Sequence, residues 1–333
     1  MTDTHTLPSL SVIIPVYNVK AYVEEAVDSI LHQSAPATEV IIVNDGSTDG
    51  SGDLVERRYG QHPRVTVVHT ANGGLGEARN VGTRAARGEF IYYFDSDDVA
   101  VEGLIATFQR AWQQQPDLDI FAFSADSFHD PQGAAVGESR HKLMSYRRGL
   151  TQTFASGEEA FNAFFRRGAF IPNAWLYVFR RRVQAEHQLW FLPIIHEDEE
   201  FTPRLFFRAG KVVVSDTVFF RRRVRAGSIM QSGRGEKNAI GYLRACEALE
   251  QLQSGCRRRD SRAALRARLI ENLVLVMTLR KRATAPFSAQ TEADLANLMR
   301  RHRCPELLLA RRNLLGWRLM NFARKRLRKR RFA

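Results

Sequence analysis

The chain has 333 residues, 44% of them hydrophobic and 26% charged, enough to bury a sizeable core and a poor fit to disordered, collagenous or membrane-embedded classes. Its net charge of +13 is concentrated at one end: residues 236–333 carry 24 basic against 8 acidic side chains, whereas the first 235 carry 25 against 28. That excess points to a polyanionic surface beside the last third and not to a nucleic-acid channel through the whole protein.

No Lys or Arg occurs in the first ten residues, and the apolar run Val12 to Ile14 stops at Pro15, so no targeting leader is expected. The longest apolar run, Leu273 to Leu279, is far too short to cross a bilayer. Cys246, Cys256 and Cys304 lack CxxC or Cys/His spacing and suggest neither a disulfide framework nor a zinc site. The expected location is the reducing cytosol.

Taken in chain order, the first third alternates short apolar runs with helical patterns, as a sheet layered with helices requires. Strands are predicted over Ser11–Asn18, Glu39 into the loop ending at Ser51, Arg64–Thr70 and Glu89–Asp98. Helices are predicted over Val23–Gln33, from Asp53, and through Ala78, Val81 and Ala85. Four strands thus end in polar or acidic loops within about a hundred residues, and open α/β sheets bind ligands beyond the carboxyl ends of their strands.

Farther on, Ile120–Phe128 and Lys211–Arg223 read as strands, the second ended by Gly227 and Ser228. Asp130–Gly149 is polar and turn-rich, and His196–Phe201 opens a helix running through Leu205 and Phe206. Beyond Gly235 the chain is helical and basic, with Arg262–Leu279 amphipathic. Three regions follow: 1–130 and 131–235 as two halves of an α/β part, and 236–333 as a helical extension.

Four strand ends carry candidate chemistry. At Phe94–Asp98 (FDSDD), Asp95, Asp97 and Asp98 repel one another unless a cation or donor neutralises them; the segment is a site for a hard divalent ion or a solvated turn with an Asp helix cap. Tyr17, after Pro15 in PVYN, offers a face for a base or simply packs. Asp45 in NDGSTD can accept an imide N–H, hold a ribose hydroxyl, or form an Asx turn with Gly46. Gly73–Asn80 (GGLGEARN) offers backbone N–H groups and Arg79 near the head of a helix, an arrangement that favours phosphate.

Taken together, VIIPVYN, VNDGSTDGS, GGLGEARNVG and YFDSDD resemble the family-2 glycosyltransferases of the GT-A fold. The resemblance implies a mixed sheet flanked by helices that binds a nucleotide-sugar. It implies that Pro15, Tyr17 and Asp45 hold the nucleotide of a UDP-sugar, that Arg79 meets its phosphates, and that Asp95, Asp97 and Asp98 form a DxD-type motif placing Mn²⁺ or Mg²⁺ on the diphosphate. HEDEEF (His196–Phe201) looks like the family's segment carrying the acceptor base, here Asp198 with Glu197 beside it; the alternative is an acidic first turn favoured by the helix dipole, the better reading of Glu199 and Glu200. Phe219–Met230 resembles a further family segment in which Arg223 and Arg225 either meet diphosphate or an anionic acceptor, or form a solvated basic strand edge.

The implied activity is inverting, metal-dependent transfer of a hexosyl or N-acetylhexosaminyl group to a saccharide or lipid-linked saccharide, for surface or exopolysaccharide synthesis. A nucleotidyltransferase is the rival enzyme, although it would carry a glycine-rich loop with Arg and Lys where this chain has PVYN. A non-catalytic membrane- or nucleic-acid-binding scaffold is the rival outside enzymology, weakened by the intact carboxylates. The aromatics from Phe161 to Phe179 are expected to form the core under the acceptor-binding half, 131–235, with Trp175 the one that could instead stack on a sugar. Within Arg311–Ala333, Leu315, Leu319 and Phe322 line one side of a helix and seven basic residues lie between Arg324 and Arg331, a pattern that suits the anionic cytoplasmic face of a membrane or else a solvated basic terminus. No nucleic-acid partner is expected.

Overall fold

A computed structural model describes residues 7–130, 143–225 and 235–332. Strands β1 (Leu10–Val16) and β2 (Glu39–Asp45) are buried at every position. They pair in parallel, Ser11 opposite Glu39 through Val16 opposite Asn44, and a continuous apolar run is what a strand covered on both faces requires. Between them runs α1 (Val23–Leu31), burying Val23, Ala26, Val27 and Ile30 at helical spacing. Helix α2 (Ser51–Tyr59) then leads to β3 (Val65–Thr70), which pairs parallel to β2.

Helix α3 (Leu75–Ala85) returns the chain to β4 (Phe90–Tyr93), parallel to β1. It packs so closely that a Cβ on Gly82 would lie 2.3 Å from the Ile13 side chain. The strand expected over Glu89–Asp98 is shorter than the sequence suggested. Its ladder stops at Tyr93, and the carboxylate-bearing residues turn out of the sheet, with Asp98 N–H donating to the Asp95 carbonyl at 3.3 Å.

After β5 (Val99–Ala100) comes α4 (Leu104–Gln114), a helix not foreseen in the sequence, which starts at Gly103. It is followed by β6 (Leu118–His129), β7 (Ser145–Tyr146), β8 (Gln152–Phe154) and α5 (Gly157–Arg167). Then come β9 (Tyr177–Arg180), α6 (Arg181–Glu186), α7 (Glu197–Arg208) and β10 (Lys211–Val224). All ten strands join one sheet of order β3-β2-β1-β4-β9-β6-β10-β5, with β7 on β6 and β8 on β10. The β3–β2–β1–β4 half is parallel, and β9 runs antiparallel to both β4 and β6, so the sheet is mixed and helix-flanked.

Five helices complete the described chain: α8 (Glu236–Gly255), α9 (Arg259–Arg282), α10 (Ala289–Arg301), α11 (Pro305–Arg312) and α12 (Leu314–Phe332). The chain divides into two compact units. The first comprises residues 1–157, 173–193 and 208–228 and holds the sheet; the second comprises 158–172, 194–207 and 229–333. The second has its own core, in which Phe161 joins Leu243, Leu265, Leu273, Leu298 and Trp317, and Phe170 and Phe207 pack against it. Among the described residues, no helix is long and apolar enough to cross a membrane.

Candidate active site

Within the first unit, the carboxyl end of β1 is opened by Pro15. This residue has no N–H to give a neighbouring strand, and pairing with β4 ends two residues earlier, at Ile13. Pro15 itself is buried in β1, while Tyr17 just beyond is 49% exposed and presents its ring. Asn18, at a φ of 51°, ties this loop to the next: its side-chain oxygen accepts Thr48 N–H at 2.8 Å, and its own N–H donates to Ser47 Oγ at 3.2 Å.

Asp45 is 2% exposed at the end of β2. Its Oδ1 accepts Gly73 N–H at 2.8 Å and its Oδ2 accepts Gly74 N–H at 2.9 Å, so it clasps the glycine-rich loop. Each oxygen retains a further lone pair. The Asx turn near Asp45 belongs to its neighbour: Asn44 Oδ1 accepts Ser47 N–H at 3.1 Å. Gly46 sits at a φ of +68°, where a Cβ would lie 2.8 Å from Asn72 N, so a side chain there would push the two loops apart.

Arg79, expected at phosphate, is 2% exposed on α3 and donates Nη2 to Asp95 Oδ1 at 2.9 Å. Its guanidinium lies over Phe191 and Tyr93 at 5.3 and 5.8 Å from the ring centres. The other two carboxylates also meet arginines. Arg225 donates to Asp97 Oδ2 at 2.8 Å, and Arg223 N–H donates to Asp98 Oδ1 at 2.6 Å. Burial, with Asp97 and Asp95 close by, pushes the Asp98 carboxyl well above the usual carboxylate range. Burial also raises Asp95, opposed by Arg79.

Arg223 is the organising residue that sequence reasoning left ambiguous. Its side chain is 4% exposed and reaches Asp130 at 3.3 Å, Glu25 at 2.5 Å and the Asp97 carbonyl at 2.9 Å. Phe128 and Tyr22 cover its guanidinium at 4.7 and 5.2 Å. The run Arg221–Arg223 with Arg225 at the end of β10 was the only local signal, and it reads equally well as a solvated edge.

The carboxylates suit an ion of one particular kind. Among the described residues no three His, Cys, Asp or Glu side chains form a ready-made metal cage. A hard cation that bridges a diphosphate needs only one or two carboxylates and keeps its other positions for water and phosphate. Asp95 and Asp97, with side chains 23% and 21% exposed, can serve in that way. Asp98 is 3% exposed and spends one oxygen on a backbone amide.

Trp175 is not a sugar platform. It is 3% exposed, stacked on Phe220 at 4.2 Å and edge-on to Tyr146 at 5.1 Å, so its faces are used in packing.

In the second unit, α7 carries the acidic segment. His196 precedes it at a φ of 66°, stacks on Tyr242 at 4.2 Å, and has its pKa lowered by burial; it is a packed neighbour. Glu199 pairs with Arg268, and Glu200 pairs with Arg204 at 2.6 Å one turn on. Those two carboxylates therefore have structural partners. Glu197 is 6% exposed, and Asp198 is partly exposed in the same first turn. Gly227 and Ser228 lie outside the described residues.

Comparison with known proteins gives consistent matches. The model of glycosyl transferase family 2 matches residues 11–171. The uncharacterized glycosyltransferase EpsJ of Bacillus subtilis is 34% identical over 231 residues, covering 68% of this chain and 64% of EpsJ. Glycosyltransferase GlyG of Streptococcus pneumoniae is 32% identical over 232 residues, covering 67% of this chain and 73% of GlyG. The chain thus spans just under two thirds of the first curated relatives it matches, 64% and 63% of their lengths. In fold it matches the S. aureus TarS 1–349 crystal structure in complex with UDP-GlcNAc, with a TM-score of 0.67 and 19% identity over 97% of this chain and 90% of that one.

Proposed function

The chain belongs to glycosyl transferase family 2, and from that premise we propose that it is an inverting, metal-dependent transferase. It moves a sugar from a UDP-sugar to a hydroxyl of a saccharide or lipid-linked saccharide during surface polysaccharide or exopolysaccharide synthesis. The observation that carries this reading is the Asp95–Asp98 segment, turned out of the sheet and held by Arg79, Arg223 and Arg225. In it a diphosphate would find both counter-charge and ion ligands.

In this reading Tyr17 stacks on the base, and Asp45 accepts from the nucleotide while keeping the Gly73–Gly74 loop in place. Asp95 and Asp97 would hold the divalent ion, with Asp98 setting the loop that presents them. That ion, when bound, supplies positive charge to the leaving diphosphate. Asp198 takes the proton of the acceptor hydroxyl, and Glu197 orients it. A single displacement at the anomeric carbon then gives inversion.

UDP titrated by calorimetry is expected to bind at least about tenfold more weakly in EDTA than in Mn²⁺, a difference of about 1.4 kcal/mol. Asp97→Asn should remove most of that metal dependence. Equal affinity under both conditions would exclude the metal bridge.

We also propose that α12 rests on the anionic cytoplasmic face of a membrane. In support, Leu315, Leu319 and Phe322 are 67%, 62% and 63% exposed along one side, whereas Trp317 is buried in the helical core. The side chains of residues 325 and 327–333, which include most of the basic run, lie outside the described residues. Because Trp317 is part of the core, substitution is a cleaner test than truncation. Replacing Leu315, Leu319 and Phe322 by Ser should weaken sedimentation with anionic vesicles about a hundredfold, if each loses about 1 kcal/mol of partial insertion. UDP affinity should be unchanged. Unaltered sedimentation would remove the membrane role from this helix.

A further inference from the structure

We propose that a groove in the helical unit, formed by α9, α10 and α11, binds the acyl chain and phosphate of one anionic phospholipid. The groove encloses about 610 Å³, within the roughly 300–1,000 Å³ typical of small-molecule sites. Its floor is apolar, built from Met277, Leu295, Met299, Cys304 and Leu307, and the two methionines let it fit an irregular chain. Around that floor stand Arg280, Lys281, Arg300, Arg303 and Arg311.

The rim charge is not balanced from within. The one acidic residue lining the groove, Glu292, is held by Arg280 at 2.6 Å. Arg300 donates to the Asn297 side chain at 2.9 Å. Lys281, Arg303 and Arg311 have no ion-pair partner among the described residues. An apolar trough beneath uncompensated cations complements an alkyl chain ending in an anion, and it suits neither water nor an apolar protein segment.

The choice of a membrane lipid over a soluble amphiphile rests on the proposed membrane contact of α12. Leu308 on the groove wall is 41% exposed, and α12 follows α11 directly with its exposed Leu315, Leu319 and Phe322. A lipid drawn from the leaflet would place its phosphate among the rim cations and one chain over the methionine floor.

The test uses the full chain and dihexanoyl-phosphatidylglycerol kept below its micelle-forming concentration, titrated by calorimetry. Saturable binding is expected, with dihexanoyl-phosphatidylcholine and inorganic phosphate each at least about tenfold weaker. Arg303→Glu with Arg311→Glu changes only exposed rim positions, and Ala296→Trp fills the groove from α10. Each should weaken phosphatidylglycerol about tenfold or more, with thermal melting and UDP affinity kept. If Ala296→Trp unfolds, the rim pair alone decides. The Leu315/Leu319/Phe322→Ser variant should keep this monomeric lipid while losing vesicles, which separates the groove from the membrane reading. No saturation, equal binding of phosphatidylcholine, equal binding of phosphate, or wild-type affinity in the rim variant would each overturn the proposal.

Discussion

Arg223→Met is expected to lower the unfolding free energy by about 3–5 kcal/mol, the scale for removing one partner of a buried charge network. The loss follows from what surrounds the guanidinium. Asp130 is 4% exposed and lies at 3.3 Å, and the Asp97 carbonyl accepts at 2.9 Å. Methionine fills similar space but returns nothing to these acceptors. Lys at this position restores one positive charge without the planar fork that serves several acceptors at once, so its stability should fall between the two. Urea unfolding followed by tryptophan fluorescence measures this, and a Met variant within about 0.5 kcal/mol of wild type, the size of an ordinary surface substitution, would show the network to be dispensable. UDP affinity should fall in the same order, because the Arg223 guanidinium also donates to the Asp97 carbonyl and so steadies the loop that presents Asp97.

Asp198→Asn should reduce sugar transfer by about 10²-fold or more, the contribution of general-base catalysis, with UDP affinity unchanged. Asparagine keeps the size and much of the hydrogen bonding of the carboxylate but cannot accept a proton at neutral pH. The choice of Asp198 rests on its place in the acidic segment that resembles the family's acceptor-base segment and on its partial exposure in the first turn of α7. Product formation from a UDP-sugar panel, read by mass, supplies the rate. Normal transfer by the variant would move the base to Glu197, and Glu197→Gln would then carry the loss.

The first part of the sheet was legible because β1 and β2 are covered on both faces. Val12 to Ile14 and Val40 to Val43 are all 0–1% exposed, and such strands read as unbroken apolar runs. The polar ends of β1, β2 and β4 were legible for the complementary reason, that apolar runs stop where chemistry begins. What the pattern could not give was the partner of each charge. Arg223 meets Asp130, Asp98 and Glu25 across 93, 125 and 198 residues of chain, and no local periodicity encodes such a meeting. Trp175 stayed open between core and sugar platform for a related reason: an aromatic on the chain looks the same whether its face is open or, as here, stacked on Phe220. Helix α4 did carry a signal, with Leu104, Ile105, Phe108 and Ala111 buried at helical spacing behind Gly103.

The second compact unit gathers residues 158–172 and 194–207 with residues 229–333, and this arrangement sets a timetable during synthesis. Phe161, Phe170 and Phe207 leave the ribosome well before Leu265, Leu273, Leu298 and Trp317, the side chains that share their core. At about 5–20 residues per second, the hundred or so residues between the two groups take on the order of 5–20 s to make. For that interval the nascent chain carries uncovered aromatic surface that its own later helices will close, and it is then that a chaperone has most to protect.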